Sequence, residues 1–176
     1  MRLKTVLNQC CDFPGFVVSD SKLNYNTDEI IVKIVPRKNS KAICSGCKTP
    51  SSGYDKLPEK LIQFIPFWGF QVYFSYRMRR VNCHQCGITV EKVPWAKGKQ
   101  KITFHFSKYL ADWGKELSWK SVASRFKTSW QTVFRSVESV VSFGLERRKI
   151  EGVSALGIDE VQFLKGHDYM TLVYQI

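Results

Sequence analysis

Two pairs of cysteines carry the most specific chemistry in this sequence: Cys44-Ser-Gly-Cys47 and Cys83-His-Gln-Cys86, with 35 residues between the pairs. In a C-x-x-C knuckle one tight turn lets two thiolates converge, and two knuckles together make a closed tetrahedral site for zinc. Gly46, just before Cys47, and Gly87, just after Cys86, relieve crowding where the backbone curls round the metal. With no open coordination position the zinc is expected to be structural, and its binding energy to serve as folding energy for a module too small to hold a big core. His84 lies between ligands and reads as a bystander, because four cysteines already fill the shell. Cys10 and Cys11 are adjacent, lack metal spacing and read as ordinary buried or half-buried thiols. A single C-x-x-C would suit redox chemistry equally well; two, with strand-like sequence between them, favour the metal.

The second signal is charge. The chain has 176 residues and a formal net charge of +12, with 27 Lys and Arg against 15 Asp and Glu. The excess is uneven: residues 77–101 hold seven basic residues and one acidic, whereas residues 150–176 are net acidic. Such an excess favours a polyanionic partner, nucleic acid before an anionic membrane surface. Arg77, Arg79, Arg80 and Lys92, with Lys97, Lys99 and Lys101, form a basic collar around the second knuckle, suited to phosphate contacts that position without reading sequence. The length excludes a large multidomain enzyme. No apolar run approaches the roughly 18 residues of a membrane span, and the first ten residues lack a secretory h-region, so a cytoplasmic protein without a membrane partner is expected.

These residues need elements to hold them. Residues 29–35 are β-branched and alternate, the mark of a strand that Pro36 ends. Residues 61–81 read as two strands around Trp68 and Gly69, a hairpin hanging from the metal site as in a zinc ribbon. Its aromatics, Phe64, Phe67, Trp68, Phe70, Tyr73, Phe74 and Tyr76, suit a core better than a stacking platform for single strands. Residues 98–103 are basic and poor in apolar side chains, as in a linker. From Ser107, placed as an N-cap, to about Arg148 the period becomes helical, and beyond Gly152 it returns to strand on both sides of the turn signal Lys165-Gly166-His167-Asp168. The fold class is α+β: a β-rich zinc-ribbon-like module over 1–97, a basic linker over 98–106 and a three-helix module over 107–150.

Within the helical stretch the spacing is that of a helix-turn-helix. Val122 and Ala123 lie on its first helix, Lys127-Thr128-Ser129 form the turn, and Trp130 opens the second. Val122, Phe126, Val133 and Val137 are expected to share a core, with small Ala123 at the crossing. That leaves Trp130, Gln131, Thr132 and Arg135 facing outward at the start of the recognition helix, where this motif contacts bases. Lys120, Arg125, Lys127 and Arg135 can reach phosphates. Lys127 stands where this motif usually has Gly; in a left-handed conformation it costs on the order of 1 kcal/mol more.

Taken with Val93-Pro94-Trp95-Ala96 and with Gly157-Ile158-Asp159-Glu160 followed by Lys165-Gly166-His167-Asp168-Tyr169, these features in this order resemble the N-terminal portion of transposases of the ISL-three family of insertion sequences. The resemblance covers nearly the whole chain. It implies a zinc finger and helix-turn-helix that bind double-stranded DNA at transposon ends, followed by an RNase H-like catalytic domain. In such a domain three carboxylates hold two magnesium or manganese ions for phosphodiester cleavage and strand transfer. Asp159 matches the first carboxylate, and strand alternation puts Glu160 on the opposite face. Residues 151–176 are then the truncated start of that domain, so this chain is expected to bind DNA without a complete catalytic site. A longer or complementing chain would restore the enzyme, a homodimer is left open, and a zinc-ribbon adaptor for protein or RNA is the alternative from another class.

Overall fold

The computed structural model describes residues 3–97, 100–149, 151–162, 166 and 168–175. The chain divides into two compact units, Met1–Val140 and Val141–Ile176. The first opens with α1 (Leu3–Cys10) and builds a mixed sheet from β1 (Phe16–Asn24), β2 (Glu29–Pro36), β3 (Ala42–Ile43), β4 (Pro50–Phe67), β5 (Phe70–Cys83) and β6 (Gly87–Val90). Then come α2 (Phe104–Glu116), α3 (Trp119–Arg125) and α4 (Trp130–Leu145), the last of which runs across the division. The second unit contains the antiparallel pair β7 (Leu156–Gln162) and β8 (Tyr169–Gln175). No helix among the described residues is long and apolar enough to cross a membrane.

The strand order is β1-β2-β5-β4-β3, with β6 on β5; β2 and β5 run parallel and the other neighbours antiparallel. Alternation decides which face is buried. Ile30, Val32 and Ile34 of β2 and Val72, Phe74 and Tyr76 of β5 are buried in one core. Trp68 and Gly69, with φ of 49° and 84°, make the two-residue turn between Phe67 and Phe70, the positive-φ pair that matches the twist of a tight hairpin. The hairpin is where its sequence puts it, but it does not hang free. It forms the centre of a six-stranded sheet with a core of 14 buried residues, so this part of the fold has apolar burial of its own beside the metal site.

That core is plugged by the Val93-Pro94-Trp95-Ala96 segment. Trp95 is fully buried, and its ring meets those of Phe16, Phe13 and Tyr76 at 4.8, 5.2 and 5.2 Å, tilted or edge-on as ring quadrupoles favour. The residues before Glu29, where sequence patterning marks no element, supply the rest of the cover. Leu3 and Leu7 of α1 pack on the core. Asn8 accepts from Val18 N at 2.9 Å and donates to Val18 O at 3.1 Å, satisfying both backbone groups of an edge-strand residue.

Residues 101–103 are tied rather than loose. Gln63 N donates to Lys101 O at 2.8 Å and Thr103 N to Gln63 O at 2.9 Å. Thr103, not Ser107, caps α2: its hydroxyl accepts from Phe106 N, and the helix begins at Phe104. Ser107 lies in the first turn and donates its backbone N–H to Thr103 O. The helices therefore share a compact unit with the sheet, and Ile65 of β4 packs against their core of Phe106, Leu110, Val122, Ala123, Phe126 and Val133.

Removing the plug should be costly. Trp95→Ala is expected to destabilise the fold by about 3 to 5 kcal/mol, the usual range for deleting a large buried ring, read as a shift of the urea midpoint at constant slope.

Candidate metal centre and nucleic-acid interface

The metal centre is built from two backbone hairpins. In the first, Cys44 N donates to Thr49 O at 2.8 Å and Lys48 N to Cys44 O at 3.1 Å, with Lys48 at φ 63°. In the second, Cys83 pairs with Gly87 in the β5–β6 hairpin, and Gly87 takes φ 69°. A bridge between Cys44 and Glu91 and the bond from Ser45 N to Val90 O, at 3.2 Å, hold the two together. The four Sγ atoms of Cys44, Cys47, Cys83 and Cys86 all lie within 4.8 Å of one another. A tetrahedral zinc with Zn–S of about 2.3 Å needs sulfurs roughly 3.8 Å apart, so the set fits zinc. His84 is exposed and outside this group. Of the other two thiols Cys11 is buried, as expected, and Cys10 is exposed, contrary to expectation.

Crowding and electrostatics point the same way. A Cβ at Gly46 would stand 2.8 Å from Cys86 Sγ and 3.7 Å from Cys44 Sγ, so the knuckle closes only over glycine. Backbone N–H groups of Cys86 and Gln85 aim at Cys83 and bring its thiol down to about 5. The neighbouring Cys44 and Cys47 thiols push Cys86 up to about 11. Within the cluster one sulfur is ready to ionise and another resists ionising beside its neighbours, a conflict that a bound dication removes.

In the helices the turn takes the strained form foreseen for it: Lys127 has φ 49°, and Thr128 N reaches back to Ala123 O at 3.0 Å. Ser118 caps α3 by accepting from Ser121 N, and Ser129 caps the start of α4 by accepting from Thr132 N. Val122, Ala123, Phe126 and Val133 are buried, while Val137 is half-buried. Gly114 of α2 lies where a Cβ would be 3.1 Å from Val137, which sets the close approach of α2 and α4. Trp130, Gln131 and Arg135 face solvent; Thr132 is half-buried, and its hydroxyl shares a hydrogen bond with Ser129 at 2.9 Å. Lys120, Arg125 and Lys127 are exposed, with Arg125 stacked over Trp113.

The basic collar separates into different roles. Arg77, Lys97 and Lys101 are exposed, and Lys99 lies outside the described residues. Lys101 and Arg135 line a common cleft of about 300 Å³ with Gln100, Ser107 and Ser139. Arg79 is instead committed inward: its Nε and Nη2 bond Glu91 Oε2 at 2.8 and 2.7 Å, while Tyr76 Oη and Arg79 N donate to Glu91 Oε1. Glu91 is 2% exposed, so this is an internal ion pair with its acceptors filled. Arg80 pairs with Asp55 at the surface.

One residue without any motif also matters. Gln63, buried in β4, donates from Nε2 to Gln71 Oε1 at 3.0 Å and to Phe126 O at 3.2 Å. Phe126 is the C-cap of α3, so the amide pins the mouth of the helix turn to the sheet. A lone glutamine in an apolar strand is the only sequence sign of it. In the second unit Asp159 of β7 is exposed, its Oδ1 accepting from Glu160 N at 2.8 Å. Lys165 and His167 of the turn signal lie outside the described residues.

Comparison with known proteins gives relatives of one kind. The chain is 30% identical over 148 residues, 82% of its length, to a protein of Mycobacterium tuberculosis named as the transposase for insertion sequence element IS1557. It is 22% identical over 132 residues to one of Bordetella parapertussis named as the transposase for insertion sequence element IS1001. The chain spans about a third of the length of these relatives, 33% and 32%. No family model and no solved structure matches it.

Metal analysis of the dialysed chain is expected to give one zinc per molecule. Cys83→Ser should lose it. Gly46→Ala should retain the four thiols yet bind zinc at least tenfold more weakly in a chelator competition, because its new methyl displaces Cys86. Acidification should release the metal as protons reclaim the thiolates.

Proposed function

We propose that this chain is the sequence-specific DNA-binding portion of a transposase of the ISL-three family, recognising the ends of its element. The observation that carries the reading is the outward face of α4: Trp130, Gln131 and Arg135 are exposed in the first turns of a helix whose inner face, Val133 and Ser136, is buried. That is the geometry by which a recognition helix presents base-reading side chains to the major groove. Lys120, Arg125 and Lys127 flank it and serve phosphates; Arg77, Lys97, Lys99 and Lys101 extend the backbone grip. Arg79 and Arg80 act indirectly, holding Glu91 and Asp55. Zinc at Cys44, Cys47, Cys83 and Cys86 is structural: it fixes the sheet that carries the helices and enters no reaction.

Asp159 takes the role of first catalytic carboxylate. In that reading phosphodiester chemistry needs two further carboxylates, from further chain or from a complementing one, and the stretch described here is expected to bind without cutting. A zinc-stabilised adaptor for protein is the second reading, favoured by the apolar side chains Leu117, Trp119, Trp130 and Phe134 exposed around the same helices.

A gel-shift comparison of end duplex, scrambled duplex and single-stranded RNA at physiological salt separates the two. Preferential binding of the end duplex is expected, with Gln131→Ala or Arg135→Ala each reducing discrimination by about 1 to 3 kcal/mol. Equal affinity for all three nucleic acids would sink the reading. Incubation with magnesium or manganese should leave supercoiled DNA unnicked.

A further inference from the structure

Next to the metal centre is a cleft of about 360 Å³. Lys41, Lys48 and Lys92 line it together with Ser40. All three lysines are exposed, and none is in a salt bridge among the described residues. Arg79 also reaches this wall, but Glu91 already answers its charge. The cleft is therefore cationic without an internal counter-ion, and its apolar walls, Phe16 and Ile43 among them, strengthen the field inside it.

A second observation is independent of the lysines. Ser40 Oγ is buried and makes no hydrogen bond, although Arg79 Nη1 holds the same residue's carbonyl at 3.4 Å. A buried hydroxyl without a partner is costly, and for Ser40, which lines a cationic cleft, the natural complement is an anionic oxygen. The backbone pre-places the charges. Lys48 follows the ligand Cys47 and is anchored by Cys44 O, while Lys92 N donates to Ile43 O at 2.7 Å. Two of the three lysines thus hang from the metal-bearing hairpins.

The geometry points to a phosphate-binding cleft formed by Lys41, Lys48, Lys92 and the Ser40 hydroxyl, taking one phosphodiester of a nucleic-acid backbone. Lysines supply point charges rather than the planar fork that reads a base edge, so the grip is indifferent to sequence. Only the source of the phosphate rests on the DNA-binding reading above; the cleft's anion chemistry does not.

The test uses the zinc-loaded chain and the variant K41Q/K48Q/K92Q, with retained zinc showing that it is folded. If the triple variant fails to hold zinc, K41Q and K92Q are measured singly. Titrated inorganic phosphate should shift the NMR resonances of Ser40, Lys41, Lys48 and Lys92 saturably, and the variant should lose the response. On duplex DNA the variant should bind end and scrambled sequences more weakly by the same factor, with the slope of log affinity against log salt smaller by about 0.9, the share of one phosphate. Absence of phosphate shifts at these residues overturns the cleft. Shifts with an unchanged duplex slope overturn the backbone as the source and assign the cleft to free phosphate. Shifts in a wild-type chain that binds no duplex uphold the cleft and remove the DNA-binding reading instead.

Discussion

Four sulfurs gathered within 4.8 Å cannot all carry charge unless a cation sits among them, and the architecture around β4 and β5 depends on that convergence. One knuckle sits between β3 and β4, and the other between β5 and β6, so the cysteines clamp the open end of the long hairpin whose closed end is the Trp68-Gly69 turn. With both ends fixed, the register that buries Ile62, Val72 and Phe74 on one face has little room to slip. A metal held at the thiolate site would add its binding energy to the folding of this hairpin.

The sheet does not rely on the metal alone. Trp95 and the rings around it give it an apolar centre, and the buried Glu91 links that centre to the knuckles through Tyr76, Arg79 and its bridge to Cys44. A carboxylate so deep is tolerable only because four donor atoms meet it. Arg79 shows how position overrides residue type: an arginine in a basic run is spent internally, while unremarkable Lys41 and Lys48 remain outside with their charge available.

Much of this was legible where chemistry or periodicity is local. Cysteine spacing pointed to the metal cluster, Trp68-Gly69 to the hairpin turn, and Lys127 to the strained turn. What escaped depends on contacts distant in sequence. The eight-residue α1 is too short to establish a period, and it is held by Asn8 against β1. The cap of α2 falls at Thr103 rather than Ser107 because Thr103 is already fixed to Gln63, which brings the helix start forward. The inward turn of Arg79 requires Glu91 across a strand pair, and charge counting along the chain cannot see it.

The bond from Gln63 to the Phe126 carbonyl has a thermodynamic consequence for binding. Modules joined by a slack tether lose freedom a second time when the second one lands, and the tether's length sets their effective concentration. Here the sheet that carries the metal site and the turn that leads into α4 meet through a buried amide, and Lys101 and Thr103 are bonded to Gln63 of β4. Any duplex that touches both must accept their spacing as built. If the chain grips DNA as proposed, insertion or deletion of a base pair between the two contacts would be penalised as a mismatch of helical phase, even where the bases facing α4 are unchanged.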